Sequence, residues 1–422
     1  MNLYFCASIS RNKKGDSLNN HDVLLLKITG EDKPGVTSRI TQILSQHHVT
    51  ILDIGQAVIH NDLSLGMLIT LPSDTESSSL LKELLLKAYE LGIEIRFEPI
   101  TAKEYSQWVN AQGKERFIIS LLARKITAEQ ISCVTDIIYD QGLNIDIINR
   151  LTGRIPLTGN KSTVACVELS VRGTPRDINT MKSAFYNLSR TIEADISFQK
   201  DDIYRRNRRL VCFDMDSTLI QTEVIVELAK VHGVGDEVHR ITEAAMQGEL
   251  DFEESFKQRI ALLKGLDVSV MEKIAANLPL TEGAERLLNT LNRCGYKTAI
   301  LSGGFTFFGE YLQKKFNIDY MFANELEIHD GKLTGRHIGD IINGTRKAEL
   351  LKLIAQMEGI HREQVIAAGD GANDLPMINA AGLGIAFHAK SKVRENAGYA
   401  ISTVGLDGIL YLLGFRDRML AE

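Results

Sequence analysis

The sequence predicts an α/β protein: a doubly wound, Rossmann-like parallel sheet with a helical cap, preceded by two ferredoxin-like α+β modules. Three observations predict it. First, Val211 to Ile220 reads Val-Cys-Phe-Asp-Met-Asp-Ser-Thr-Leu-Ile, an apolar run that ends in two carboxylates. A short apolar run between a basic stretch and polar turn residues suits a buried parallel strand, here Leu210 to Phe213. Second, the runs Lys297 to Leu301 and Gln364 to Ala368 end in glycine-rich turns, while the segment between the first strand and Lys297 is mainly helical. Third, a strand-helix-strand-strand-helix-strand pattern occurs twice ahead of this core, from Val23 to Phe97 and from Glu115 to Phe198.

A chain of 422 residues exceeds what one core usually holds, since domains commonly run to about 100–200 residues. The expected division is 1–100 and 101–202 for the two modules and 203–422 for the α/β part, with its cap at about 222–280. A hydrophobic content of 44% and a charged content of 24% describe an ordinary globular chain. The net charge of −6 supplies no broad basic field, so nucleic acid is not the expected partner. Cys6, Cys133, Cys166, Cys212 and Cys294 are widely spaced, which argues against a disulfide framework or a zinc site. The N-terminal residues lack the pattern of a signal peptide, and no stretch reaches the roughly 18 apolar residues of a membrane span. No membrane association is expected, and the cytoplasm is the expected compartment.

In the first module, Val23-Leu-Leu-Leu-Lys-Ile forms a strand and Pro34-Gly35 marks a tight turn into a helix carrying Val36, Ile40, Ile43 and Leu44. Ile51 to Ile59 and Leu63 to Leu71 read as two strands around His60-Asn61-Asp62, and Leu80 to Leu91 as an amphipathic helix. The second module repeats the pattern rather than the letters: Phe117 to Leu122, Ala128 to Tyr139, Ile145 to Leu151, Val164 to Val171, Asp177 to Ser189 and Ile192 to Phe198. The basic stretch Arg205-Arg-Asn-Arg-Arg209 is expected to be a solvated linker.

Beyond Asp216 the chain turns helical, with Thr222 as the expected N-cap of a helix Val224 to Val231, then Val238 to Met246 and Phe252 to Leu263. A helical insert between the first core strand and its continuation reads as a lid over the carboxylates, able to exclude water and select substrate. Arg259 falls on the apolar stripe made by Phe252, Phe256 and Leu263, and a charge on such a face needs an anion. Glu223, in the first turn of its helix, also suits the helix dipole.

The remaining chemistry clusters at strand ends. Asp214 and Asp216 sit where open α/β sheets bind ligands, and paired carboxylates can hold a hard cation such as Mg²⁺. Ser302-Gly303-Gly304 offers a hydroxyl and unobstructed N–H groups to phosphate oxygens. Lys347 opens a helix, and Gly369-Asp-Gly-Ala-Asn-Asp374 brings Asp370 and Asp374 to the same edge.

Jointly, Asp-x-Asp-Ser-Thr, the cap with Glu223 and Arg259, Ser302-Gly-Gly, Lys347 and Gly-Asp-Gly-x-Asn-Asp resemble the haloacid dehalogenase superfamily over Val211 to about Leu413. The front end, with Asp32-x-Pro34-Gly35 before its first helix, resembles the ACT domain, which implies an amino-acid effector and a homodimer. The first resemblance implies a phosphatase in which Asp214 is the nucleophile, Asp216 the acid and base, and Ser302 and Lys347 steady the phosphoryl group. It further implies Mg²⁺ held by Asp214, the Asp216 carbonyl and Asp370, with Asn373 and Asp374 supporting that shell. Glu223 and Arg259 would bind the ammonium and carboxylate of the substrate, phosphoserine, with Ser302, Gly303 and Asn373 completing its site.

Overall fold

The computed structural model describes residues 23–71, 77–111, 113–154, 164–247 and 250–420. Cys6 and the N-terminal stretch lie outside them. The chain divides into two compact units, Met1–Gly113 and Lys114–Glu422.

The first unit is an antiparallel sheet of β1 (Val23–Glu31), β2 (Thr50–Ile59), β3 (Asp62–Thr70) and β4 (Ile93–Ile100), in the order β2-β3-β1-β4. One face is its core. Leu24, Leu26 and Ile28 alternate with Leu63, Leu65, Met67 and Ile69 beneath the helices Val36–Gln46 and Ser77–Leu91, as the period of two along a strand requires. Gly35 is the left-handed residue that starts the first helix, φ 96°, which explains the Pro-Gly turn. A helix the sequence did not announce, Ala102–Ala111, follows β4 and carries the unit boundary beyond residue 100.

The second module has the same topology: β5 (Arg116–Ala123), β6 (Asn144–Arg150), β7 (Ala165–Arg172) and β8 (Asp195–Lys200), ordered β6-β7-β5-β8. Its first helix, Ala128–Asp140, starts on a Thr127–Gln130 capping box where the first module uses the Pro-Gly turn. This module is not a separate unit. Its Leu122, Leu151 and Cys166 belong to the same apolar core as the α/β part, and Asp195 accepts the Ser402 and Thr403 N–H groups at 2.8 and 2.9 Å.

The basic stretch is not a solvated linker throughout. Arg205 is buried and paired with Glu168, and Arg208 is buried against the Glu363 carbonyl. The acceptors lie in opposite halves of the second unit, so these arginines join the halves, a role that depends on partners far away in sequence.

The α/β sheet contains β9 (Leu210–Phe213), β10 (Lys297–Phe305), β11 (Tyr320–His329), β12 (Lys332–Ile338), β13 (Val365–Gly369), β14 (Leu383–Phe387) and β15 (Tyr399–Ile401). Their order is β12-β11-β10-β9-β13-β14-β15, parallel except for the β11–β12 hairpin. From β9 the chain moves first to one side and then, at β13, to the other. The carboxyl end of β9 is therefore the switch point where such sheets bind ligands. The cap contains helices Val224–His232, Gly235–Gln247, Phe252–Ala261 and Ser269–Ala276. Its two connections to the core pair with each other at Ile220 and Leu280.

Candidate active site

β9 is fully buried and delivers Asp214 to the sheet edge; the chain then bends sharply, with Ser217 left-handed at φ 56°. Asp214 is buried, and its Oδ1 accepts the Met215 N–H at 2.8 Å and lies 2.8 Å from Lys347 Nζ. The same Nζ lies 2.6 Å from Asp374 Oδ1. Lys347, on the helix Gly344–Met357, is fully buried rather than exposed. Burial alone would lower its pKa, but Asp214 and Asp374 more than reverse that and hold it as a cation.

Asp370 lies at the end of β13, 3.3 Å from the Thr218 hydroxyl that donates to it. One carboxylate oxygen from each of Asp214, Asp370 and Asp374 falls within 4.8 Å of the others. Burial and the negative neighbour Asp374 raise Asp214 to about 6 despite Lys347, and burial with Asp214 and Asp374 raises Asp370 to about 8. Asp214 and Asp374 are buried and Asp370 half-buried, and ionising all three against one lysine would leave an excess of negative charge, which a divalent cation would balance. The acidic set fits a metal.

The Asp216 side chain is not part of that cluster. Its Oδ1 accepts the Val224 N–H at 3.0 Å, at the start of the first cap helix. Burial and Asp214 push its pKa well upward, so the protonated form is favoured. The N-cap position of that helix belongs to Glu223 and not to Thr222, whose hydroxyl instead donates to Glu227 at 3.0 Å. Glu223 makes no side-chain capping bond, and Asp216 does that work. Glu223 and Arg259 are both half-buried. Burial lowers Arg259 while Glu223 and Asp216 act in the opposite direction, so the cap cation faces the site.

Ser302 is buried in the second half of β10, where the register with β11 shifts after Leu301, and its Oγ accepts the Gly304 N–H at 2.9 Å. A Cβ on Gly304 would come within 2.4 Å of Asp216 Oδ2, and one on Gly369 within 2.5 Å of Asp374 Cγ. The glycines are the condition for the acids to approach these turns. Gly303 meets the cap ring of Phe252. Asn373 is half-buried in the turn that carries Asp370 and Asp374, its carbonyl beside Gly344. The structure thus brings the expected nucleophile, acids, Ser302, Gly303, Lys347 and Asn373 to one edge, with Glu223 and Arg259 above it.

Two further residues carry no motif that could have announced them. Asn324, buried in β11, donates to the carbonyls of Gly303 at 2.8 Å and Gly304 at 3.4 Å, while its Oδ1 accepts the Ile342 N–H at 2.8 Å. It ties the Ser302 turn to the loop that leads into the Lys347 helix. Glu253 of the cap accepts from Asn343 of the core at 3.0 Å and latches the lid.

A buried Asp-x-Asp at the switch point of a parallel sheet, an acid cluster, a buried lysine and an inserted cap define a haloacid dehalogenase-type phosphatase. Residues 208–382 match the family model for haloacid dehalogenase-like hydrolases, and residues 22–98 match that for the ACT domain. The chain is 40% identical to a phosphoserine phosphatase of Streptomyces coelicolor, over 93% of this chain and 92% of that one. It is 38% identical to phosphoserine phosphatase SerB2 of Mycobacterium tuberculosis, over 93% of each. The unliganded structure of a probable phosphoserine phosphatase from Vibrio cholerae is 32% identical and covers 72% of this chain and 87% of its own, at a TM-score of 0.56. The chain belongs to the phosphoserine phosphatase family.

Proposed function

We propose that this chain hydrolyses O-phosphoserine to serine and phosphate, the last step of serine biosynthesis, through a phosphoaspartate at Asp214. The observation that carries this reading is Arg259 and Glu223 on the cap, each within electrostatic reach of Asp216. A phosphorylated amino acid presents one carboxylate and one ammonium beside the phosphate, and these two residues match both charges.

The bonds at Asp214 fall on Oδ1, so Oδ2 attacks phosphorus. The bond to the serine oxygen breaks, and Asp216, whose protonated form burial favours, donates its proton to that oxygen. Asp216 then takes a proton from water; the water oxygen bonds to phosphorus, the bond to Asp214 breaks, and phosphate leaves. Lys347 and Ser302 hold the equatorial oxygens throughout, with Gly303 and Asn373 lining the site. Mg²⁺, held by Asp214, Asp370 and the Asp216 carbonyl, would offset the repulsion between the nucleophile and the phosphate.

In the first module, Asp32, Lys33, Pro34, Gly35 and Gln56 border a cavity of about 450 Å³, which suits an amino-acid effector such as the product serine, in a homodimer. No helix among the described residues is long and apolar enough to cross a membrane, and the cytoplasm suits a metabolite phosphatase. The experiment is phosphoserine turnover by the purified protein with Mg²⁺ and after chelation, beside Asp214→Asn. Turnover only with metal and wild-type Asp214 is expected; appreciable hydrolysis by the variant would remove the covalent route.

A further inference from the structure

We infer that the first unit carries a second ligand site, on the sheet face opposite its helices, for a planar apolar molecule bearing an amine. The site is a cavity of about 440 Å³ between that face and the helix Ala102–Ala111, within the roughly 300–1,000 Å³ of small-molecule pockets. It is separate from the loop at Asp32, since it opens on Leu25, Gly66 and Leu68, whereas Leu63 borders the other cavity.

The floor is the strongest evidence. Gly55 and Gly66 are register partners in the middle of β2 and β3, where a glycine weakens a strand unless something must approach the backbone closely. Neither has a left-handed φ. A Cβ at Gly55 would meet nothing within 4 Å, and one at Gly66 only the Gly55 carbonyl at 4.0 Å. Backbone conformation and packing therefore leave both positions free to carry side chains, and the sequence keeps the space open instead.

The wall and rim define the occupant. Tyr105 and Trp108 lie on the covering helix with ring centroids 6.0 Å apart, yet no residue of that helix is fully buried. With Leu25 and Leu68 they make an apolar slot whose flat floor suits a ring. The charged residues of the lining, Asp53 and Glu104, are both acidic. Glu104 uses one oxygen, Oε2, to cap its own helix at Thr101. Lys27, the register partner of Gly66 in β1, is paired with Glu98. An ammonium is favoured over a carboxylate there, and the aromatic rings add to that preference.

Trp108 is the single tryptophan of the 422 residues, so the whole protein reports on this site by its own fluorescence. Titration with 2-phenylethylamine is expected to give a saturable change in Trp108 emission and matching heat by calorimetry. 3-Phenylpropionate, of similar shape and opposite charge, should bind at least about tenfold more weakly, one charge contact being worth roughly that factor. Gly66→Val should weaken the amine by a similar factor with the thermal transition retained. If Gly66→Val does not fold, Gly55→Ala, whose Cβ has open space, serves instead with a smaller loss. No saturable response, equal binding of both probes, or undiminished binding by the folded variants would overturn the site. So would emission that follows protein concentration together with a dimer that Gly66→Val dissociates, because the slot would then be an interface between copies.

Discussion

Asp216 of the core accepts the backbone N–H of Val224 of the cap, Oδ1 to N 3.0 Å. The carboxyl group placed to move the proton is therefore also the cap of the first lid helix, and two substitutions separate these roles. Asp216→Asn keeps an acceptor and should melt like the native protein. Asp216→Ala loses the cap, worth about 1 kcal/mol. Both should lose roughly 10²- to 10⁴-fold in turnover with proton transfer gone. Kinetics and thermal melting on the pair check this; equal melting temperatures would mean that the bond does not hold the lid.

Lys347 is fully buried between Asp214 and Asp374, so its removal leaves two buried acids without a cation. Lys347→Met is expected to cost about 3–5 kcal/mol, the range for breaking a buried pair. Adding Asp374→Asn should recover part of that, since the sites share a partner and do not add. Urea unfolding of the single and double variants measures the coupling.

Asp214, Asp216, Asp370 and the helical cap were legible in the sequence because each follows an apolar run ending in a turn, a local signal. The hairpin β11–β12, the helix Ala102–Ala111 and Asn324 were not, since they depend on surfaces that exist only after folding. The same limit explains Arg205 and Arg208, whose neighbours in sequence suggested a solvated linker while Glu168 and Glu363 supply buried acceptors. Thr222 looked like an N-cap because its residue type suits one; the carboxylate of Asp216, six positions earlier, performs that function.

Chelation should make stability depend on pH in a definite direction. Folding raises Asp370 to about 8 and Asp214 to about 6, both above their unfolded values near 3.8. Between those limits the unfolded chain holds fewer protons than the folded one, so stability falls as pH rises. In EDTA the melting temperature should drop from pH 5 to pH 8, and Mg²⁺ should restore most of it at pH 8, where the carboxylates bind metal. A melting temperature that rises over this interval without metal would contradict the assignment of the cluster.

Asn324 holds Gly303, Gly304 and Ile342 together, so Asn324→Ala should loosen the phosphate cradle. Orphaning buried backbone groups costs about 1–3 kcal/mol, and misplacing a catalytic group by about 1 Å can cost 10²-fold in rate. The variant should weaken inhibition by inorganic phosphate while leaving inhibition by serine, which lacks a phosphate, near its native level. Equal weakening of both inhibitors would point to general damage.

Arg259 is half-buried, with Glu223 and Asp216 as its principal negative neighbours, and among the described residues its own hydrogen bond runs to the Ser255 carbonyl at 3.3 Å. A guanidinium in that position can take a carboxylate by two parallel hydrogen bonds, which an ammonium cannot reproduce, so Arg259→Lys should already lose selectivity. Truncating a desolvated charge partner costs about 2–5 kcal/mol, equivalent to roughly 30- to several-thousand-fold in kcat/KM. For Arg259→Ala that loss is expected with phosphoserine and not with p-nitrophenyl phosphate, which offers no carboxylate. Misfolding would lower both rates together, and the comparison therefore isolates recognition. If both fell equally at an unchanged melting temperature, Arg259 would act on lid closure or on the phosphate, and the amino-acid head would have to be read by another cap residue.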